Sequence, residues 1–147
     1  MMDLRFNILN EHVDKFIVCE STISHSGKKK KLNFDINNYP KFKDKISYIV
    51  IDEEPEGIIG EKNGLAQPHE KRSDSLKRIN LSYDYMIKAT SDASDNDLII
   101  LSDNDEIPNL NSEQFKRSKK DIIIFKQLFF YYKFNLLYDL VPWYGSK

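Results

Sequence analysis

Four stretches of the chain are apolar or β-branched, short, and bounded by polar turn residues: Asp14 to Glu20, Ile46 to Ile51, Asp97 to Leu101 and Asp121 to Tyr132. Runs of that length and composition predict strands. Between the second and third, Leu76, Ile79, Tyr83, Met86 and Ile87 recur at helical spacing behind Pro68 and Glu70, which predicts a helix starting there. Strand, helix, strand in that order favours parallel pairing, so the pattern points to an α/β layer fold. A short helix is expected ahead of Glu113 and Phe115, capped by Asn109 or Asn111 and closed by the basic run Arg117-Ser118-Lys119-Lys120. From Ile122 to Leu140 the chain is aromatic, but Lys126, Gln127, Lys133, Asn135 and Asp139 interrupt it. That segment reads as a core strand running into a loop rather than as membrane contact.

The third strand leads into the most informative residues. Leu98-Ile99-Ile100-Leu101 is an unbroken apolar run, expected to be buried on both faces, and it delivers Ser102-Asp103-Asn104-Asp105-Glu106-Ile107-Pro108 at its carboxyl end. That is where open α/β sheets carry ligands. Asp103 and Asp105 are two apart, so in an extended segment their carboxylates point the same way, an unfavourable crowding unless a cation neutralises it. Carboxylate oxygens suit Mg²⁺ or Mn²⁺, which commonly bridge a protein carboxylate to a substrate diphosphate. The competing reading of the same residues is an acidic, solvated turn.

Composition narrows the classes of function. With 147 residues, two-fifths of them apolar, the chain is the size of one domain with one core. A formal charge of −1, with acids and lysines interspersed, gives no basic field of the kind nucleic-acid binding needs. The single cysteine, Cys19, lies inside an apolar strand, so no internal disulfide forms and an inert thiol is expected. No apolar run is long enough to span a membrane and no secretion signal is visible, which favours a soluble, cytoplasmic chain.

Two loops follow predicted strands and so fall on the expected ligand side. Asp52 to Gly64 is acidic and punctuated by Pro55, Gly57, Gly60 and Gly64, a long flexible connection suited either to a lid or to a mobile surface loop. Ser21 to Lys31 contains His25, Gly27 and four consecutive lysines, and a lysine there can meet phosphate charge or simply face water.

Taken in order, these segments resemble glycosyltransferase family 17. Val13-Asp14-Lys15-Phe16-Ile17-Val18-Cys19-Glu20-Ser21-Thr22 resembles the family's strand ending in Glu-Ser-Thr, followed at its spacing by His25-Ser26-Gly27-Lys28 and Leu32. Lys45 to Asp52 resembles its next strand, Arg72 lies near its Gln-Arg pair, and Ser102 to Pro108 resembles its Ser-Asp-x-Asp-Glu-Ile-Pro signature. Phe130 to Asn135 and Trp143-Tyr144-Gly145 resemble its later aromatic strand and Trp-x-Gly. Met2 to Glu11 resembles its first helix. The family includes the β-1,4-mannosyl-glycoprotein N-acetylglucosaminyltransferase.

The resemblance implies a GT-A fold, a Rossmann-like, mostly parallel sheet between two helical layers, in one partial domain over residues 1–147. It implies inverting transfer of a sugar, N-acetylglucosamine by analogy, from a UDP-sugar donor to a glycan acceptor with Mn²⁺ or Mg²⁺. Asp105, and then Asp103, would bind the metal; Lys28 and Arg72 would face the donor's phosphates. Glu106, Glu70 and Asp74, with Asp139, are the carboxylates from which a base must be sought, and none is assigned. By the same resemblance the family's first strand and its C-terminal part are expected to be missing, and with them an unpaired sheet edge, self-association through it and weak activity are expected. The sequence leaves three alternatives: a noncatalytic nucleotide-sugar-binding remnant, a haloacid-dehalogenase-type phosphohydrolase using Asp103 and Asp105, and a calcium loop around Asp92, Asp95, Asp97, Asp103 and Asp105.

Overall fold

The computed structural model describes residues 1–60, 67–132 and 135–147. Part of the Asp52 to Gly64 connection, and Lys133 and Phe134 of the aromatic segment, lie outside the described residues. The chain divides into two compact units, one made of Lys15–Asp97 and the other of Met1–Asp14 with Leu98–Lys147.

In the unit Lys15–Asp97, β1 (Phe16–Ser21) and β2 (Ile46–Ile51) pair in parallel, in register from Phe16 opposite Ile46 to Ser21 opposite Ile51. Both are the expected strands. Their connection runs through two 3₁₀ turns, Ile36–Asn38 and Pro40–Lys45, the first begun by Asp35, whose side chain accepts from the Asn37 N–H at 2.9 Å. A long helix, α2 (Pro68–Lys88), packs against both strands. It starts at Pro68 as expected, because proline there forfeits no helical hydrogen bond and Glu70 accepts the Gln67 N–H at 2.8 Å. Its apolar stripe is only partly covered: Leu76, Tyr83 and Ile87 are exposed, whereas Phe16, Phe42 and Ile51 are buried.

In the other unit, α1 (Met2–Leu9) buries Phe6 and Leu9, one turn apart on one face, and Leu110 and Pro108 are buried in the same unit. A one-turn helix, α3 (Glu113–Arg117), is capped by Ser112, whose hydroxyl accepts the Phe115 N–H, and not by either asparagine. Asn109 instead closes a local turn onto the Asn111 N–H at 3.1 Å.

Two strand expectations also fail in this unit. Asp97 to Leu101 is not a strand, and Leu98 and Ile99 are 58% and 53% exposed rather than buried on both faces. The reason lies in the pairing: Leu101 exchanges backbone hydrogen bonds with Lys147, at 2.6 and 2.9 Å, and no ladder extends that single pair along the apolar run. The aromatic segment, in turn, is not a core strand running into a loop. It folds as an antiparallel ribbon of β3 (Lys126–Phe130) and β4 (Leu137–Tyr144), pairing Lys126 with Tyr144, Gln127 with Trp143, Phe129 with Tyr138 and Phe130 with Leu137. The register breaks between Gln127 and Phe129, leaving Asp139 to Pro142 opposite Leu128, a site where proline's missing N–H does not interrupt a ladder.

Candidate functional site

The acidic signature is held as a closed turn. The Glu106 N–H donates to the Asp103 carbonyl at 3.2 Å, and the Asp103 N–H donates to Glu106 Oε2 at 3.2 Å, so backbone and side chain lock the same four residues from both ends. Aspartate and asparagine favour such turns, which is why the run does not continue the extended path the apolar residues suggest. Asp103 and Asp105 therefore occupy the first and third positions of a turn rather than alternate positions of a strand. Both side chains are exposed.

Three residues distant in sequence fasten this turn. Arg5, on α1, donates through Nη1 to the carbonyl oxygens of Asp103, at 3.3 Å, and of Glu106, and through Nη2 to Ser102 Oγ. Burial disfavours the Arg5 charge, and the nearby carboxylates of Glu106 and Asp105 oppose that effect. Trp143, on β4, donates its indole N–H to Glu106 Oε1 at 2.8 Å while stacking on Phe129 at 5.3 Å between centroids. Gly145 makes room for the same carboxyl group, since a Cβ there would lie 2.7 Å from Glu106 Cδ. Glu106 is thus tied at both oxygens. Neither the Asp103 nor the Asp105 carboxylate accepts a hydrogen bond from the described residues.

The donor set this leaves is two exposed carboxylates. Among the described residues no group of three or more His, Cys, Asp or Glu side chains is placed to hold a metal. Two carboxylates fit Mg²⁺ or Mn²⁺ when water and substrate phosphates complete the coordination, and do not fit a closed all-protein cage. Two concavities of this unit are lined without Asp103 or Asp105: one of about 290 Å³ by Ile8, Leu9, His12 and residues 107–111, which directly follow the turn, and another of about 410 Å³ by Phe129, Tyr131 and Tyr138.

Asp139 is exposed on β4, and the other remaining candidates belong to the Lys15–Asp97 unit. Lys28 and Arg72 are both exposed. Glu70 caps α2, and Asp74, 5% exposed, accepts the Ile59 and Gly60 N–H groups at 2.9 Å each, which holds its carboxyl below the usual range. The loops following β1 and β2 leave from the same strand ends. Thr22 bridges them, its N–H donating to the Ile51 carbonyl at 2.9 Å and its hydroxyl to Asp52 at 2.6 Å. Arg78 of α2 bridges them again, binding Glu54 through two nitrogens at 2.7 and 3.1 Å and the His25 carbonyl at 3.1 Å.

Glu20 was not singled out by sequence reasoning, although a lone acid closing an apolar strand is a signal. Its carboxylate accepts from Lys30 at 2.6 Å, from the Asn33 and Phe34 N–H groups, and from the Tyr48 hydroxyl at 3.1 Å. Of the lysine run, Lys30 is therefore committed to Glu20. Burial pushes the Cys19 thiol up, in keeping with an unreactive cysteine.

With this arrangement in place, the sequence model of glycosyltransferase family 17 matches residues 1–147. The chain belongs to glycosyltransferase family 17. No curated protein and no solved structure matches it. Membership in a glycosyltransferase family makes sugar transfer its general chemistry, with a sugar donor and an acceptor as partners. No helix among the described residues is long and apolar enough to cross a membrane.

Proposed function

We propose that this family 17 chain carries out metal-dependent, inverting transfer of N-acetylglucosamine from a UDP-sugar to a glycan acceptor, on a single GT-A-type domain. The observation that supports this most is the turn at Asp103 to Glu106: the backbone of its first and last residues and both oxygens of its glutamate are hydrogen-bonded, while the Asp103 and Asp105 side chains are exposed and their carboxylates accept no hydrogen bond from the described residues. Two carboxylates left in that state on a fixed turn suit a cation shared with a diphosphate. The parallel β1–β2 pair with α2 packed on it is compatible with part of a Rossmann-like sheet.

When bound, Mn²⁺ or Mg²⁺ would supply Lewis-acid stabilisation of the charge that builds on the departing diphosphate oxygen as the anomeric bond breaks. Asp105 and Asp103 would hold the ion, and the bound turn would keep them from rearranging as charge develops. Inversion also requires a carboxylate to take the proton of the attacking acceptor hydroxyl. Glu70, Asp74 and Glu106 each already accept N–H groups of this chain, so the base is left unassigned. Lys28 and Arg72 are exposed cations to be tested against phosphate.

The test is a thermal-shift panel of UDP-, GDP- and CMP-sugars, each with and without Mn²⁺, on the wild type, Asp105→Ala, Lys28→Ala and Arg72→Ala. A UDP-sugar shift that requires Mn²⁺ and vanishes in Asp105→Ala is the expected result. A shift that is indifferent to Mn²⁺ or survives in Asp105→Ala would overturn the site, and binding without turnover on glycan acceptors would leave a nucleotide-sugar binder.

A further inference from the structure

We infer that Arg5 is the positioning residue of the Asp103/Asp105 site, fixing the turn through its backbone so that metal and diphosphate meet carboxylates already in place; this rests on the function proposed above. The guanidinium engages three acceptors, the carbonyl oxygens of Asp103 and Glu106 and the Ser102 hydroxyl, which begin and end the acidic turn. A planar fork is the only side chain able to span such a set, since lysine offers one nitrogen at one point. The contacts avoid the carboxylates of Asp103 and Asp105, so Arg5 does not compete for the atoms a cation needs.

Arg5 is itself fixed. It stands on α1 between Leu4 and Phe6, and Phe6 and Leu9, 1% and 2% exposed, anchor that helix in the unit's core. Removing the fork would leave the turn held on one side, by Trp143 through Glu106. The carboxylates would then have to be ordered by the ion at the moment of binding, and lost ordering of that kind weakens metal affinity by about tenfold to a hundredfold.

The experiment uses the full chain as wild type, Arg5→Gln, Arg5→Lys and Ser102→Ala, with Mn²⁺ plus UDP as the probe. Two readouts are taken: Mn²⁺ affinity by calorimetry, and amide hydrogen exchange of residues 102–106 without metal. In Arg5→Gln, exchange across that segment should rise and Mn²⁺ affinity fall at least tenfold, while exchange in β1 and β2 stays at the wild-type rate. Arg5→Lys should not restore affinity, and Ser102→Ala, which leaves α1 and its packing untouched and so serves should Arg5→Gln unfold, should fall in the same direction by less. Full rescue by lysine would show that charge alone acts and overturn the inference, as would unchanged exchange and affinity in Arg5→Gln and Ser102→Ala. A wild type that binds no Mn²⁺ with UDP would instead overturn the functional reading itself, with its own exchange protection at residues 102–106 unaffected.

Discussion

Gly145 and Glu106 are in such close contact that a methyl group on the glycine would lie 2.7 Å from both the carboxyl carbon and one carboxylate oxygen of the glutamate. The glutamate tip could move aside only by giving up the Trp143 indole and the Asp103 N–H, the two donors that fix it. Gly145→Ala should therefore destabilise the fold by about 1–3 kcal/mol, the range for losing hydrogen bonds to a charged acceptor. Denaturant unfolding of Gly145→Ala in the wild-type and Glu106→Ala backgrounds checks the cause: the penalty should shrink once the glutamate is gone, the remainder coming from Gln127 Oε1, which lies 2.9 Å from the same Cβ.

Glu20 links the end of β1 to the following loop by electrostatics, and pH should expose it. Partial burial works against its charge, but hydrogen bonds from Lys30, Asn33, Phe34 and Tyr48 outweigh burial and hold the carboxyl at about 2, against an ordinary 4.5. A folded value below the unfolded one contributes stability that is complete above about 4.5 and is lost as pH falls from there toward 2. In Glu20→Gln the acid limb between those values should flatten, with a loss of about 2 kcal/mol at neutral pH. Equilibrium unfolding at stepped pH measures both; an unchanged acid slope would count against the clamp. The Tyr48 hydroxyl, pushed up to about 12 by burial and by Glu20, should stay protonated throughout that range.

How far this architecture could be read beforehand depended on how local its causes are. β1, β2 and the start of α2 follow from residues adjacent in sequence, an apolar run or a proline with a glutamate two positions on, and they stand where the pattern put them. The acidic signature was legible as chemistry but not as shape, because the turn residues Asp103 to Glu106 outweighed the extended tendency of Leu98 to Leu101. Arg5 and Trp143 gave no local sign of their role; each meets the signature across long stretches of chain, 101 residues in one case and 37 in the other. Ser112 displaced Asn109 as the cap of α3 since Asn109 was already closing its own turn.

Arg78 should not tolerate lysine. Its guanidinium binds Glu54 through two nitrogens and the His25 carbonyl through a third, with the side chain 11% exposed, and it fills the space beside Gly27, whose φ of +84° disfavours any side chain. Lysine keeps the charge but cannot make the bidentate contact or reach His25 at once. Arg78→Lys should lower stability by about 1–2 kcal/mol, and limited proteolysis should accelerate in both loops, residues 22–31 and 52–60, together. Cleavage that rises in one loop alone would show that Arg78 does not join them.

The indole of Trp143 offers a direct view of the signature, because it is the chain's only tryptophan and its N–H is donated to Glu106. Stacking on Phe129 orients the ring, at an interplanar angle of 17°, independently of that hydrogen bond. Trp143→Phe keeps a single aromatic ring on Phe129 but loses the N–H donor and the indole's five-membered ring, so it should cost about 1–2 kcal/mol, less than Trp143→Ala, which loses the stack as well. Glu106→Gln keeps an acceptor but removes its charge, and should shift the Trp143 emission maximum without unfolding the ribbon. Emission that is the same in wild type and Glu106→Gln, in protein whose far-ultraviolet circular dichroism is native, would mean that the indole does not report on Glu106 in solution.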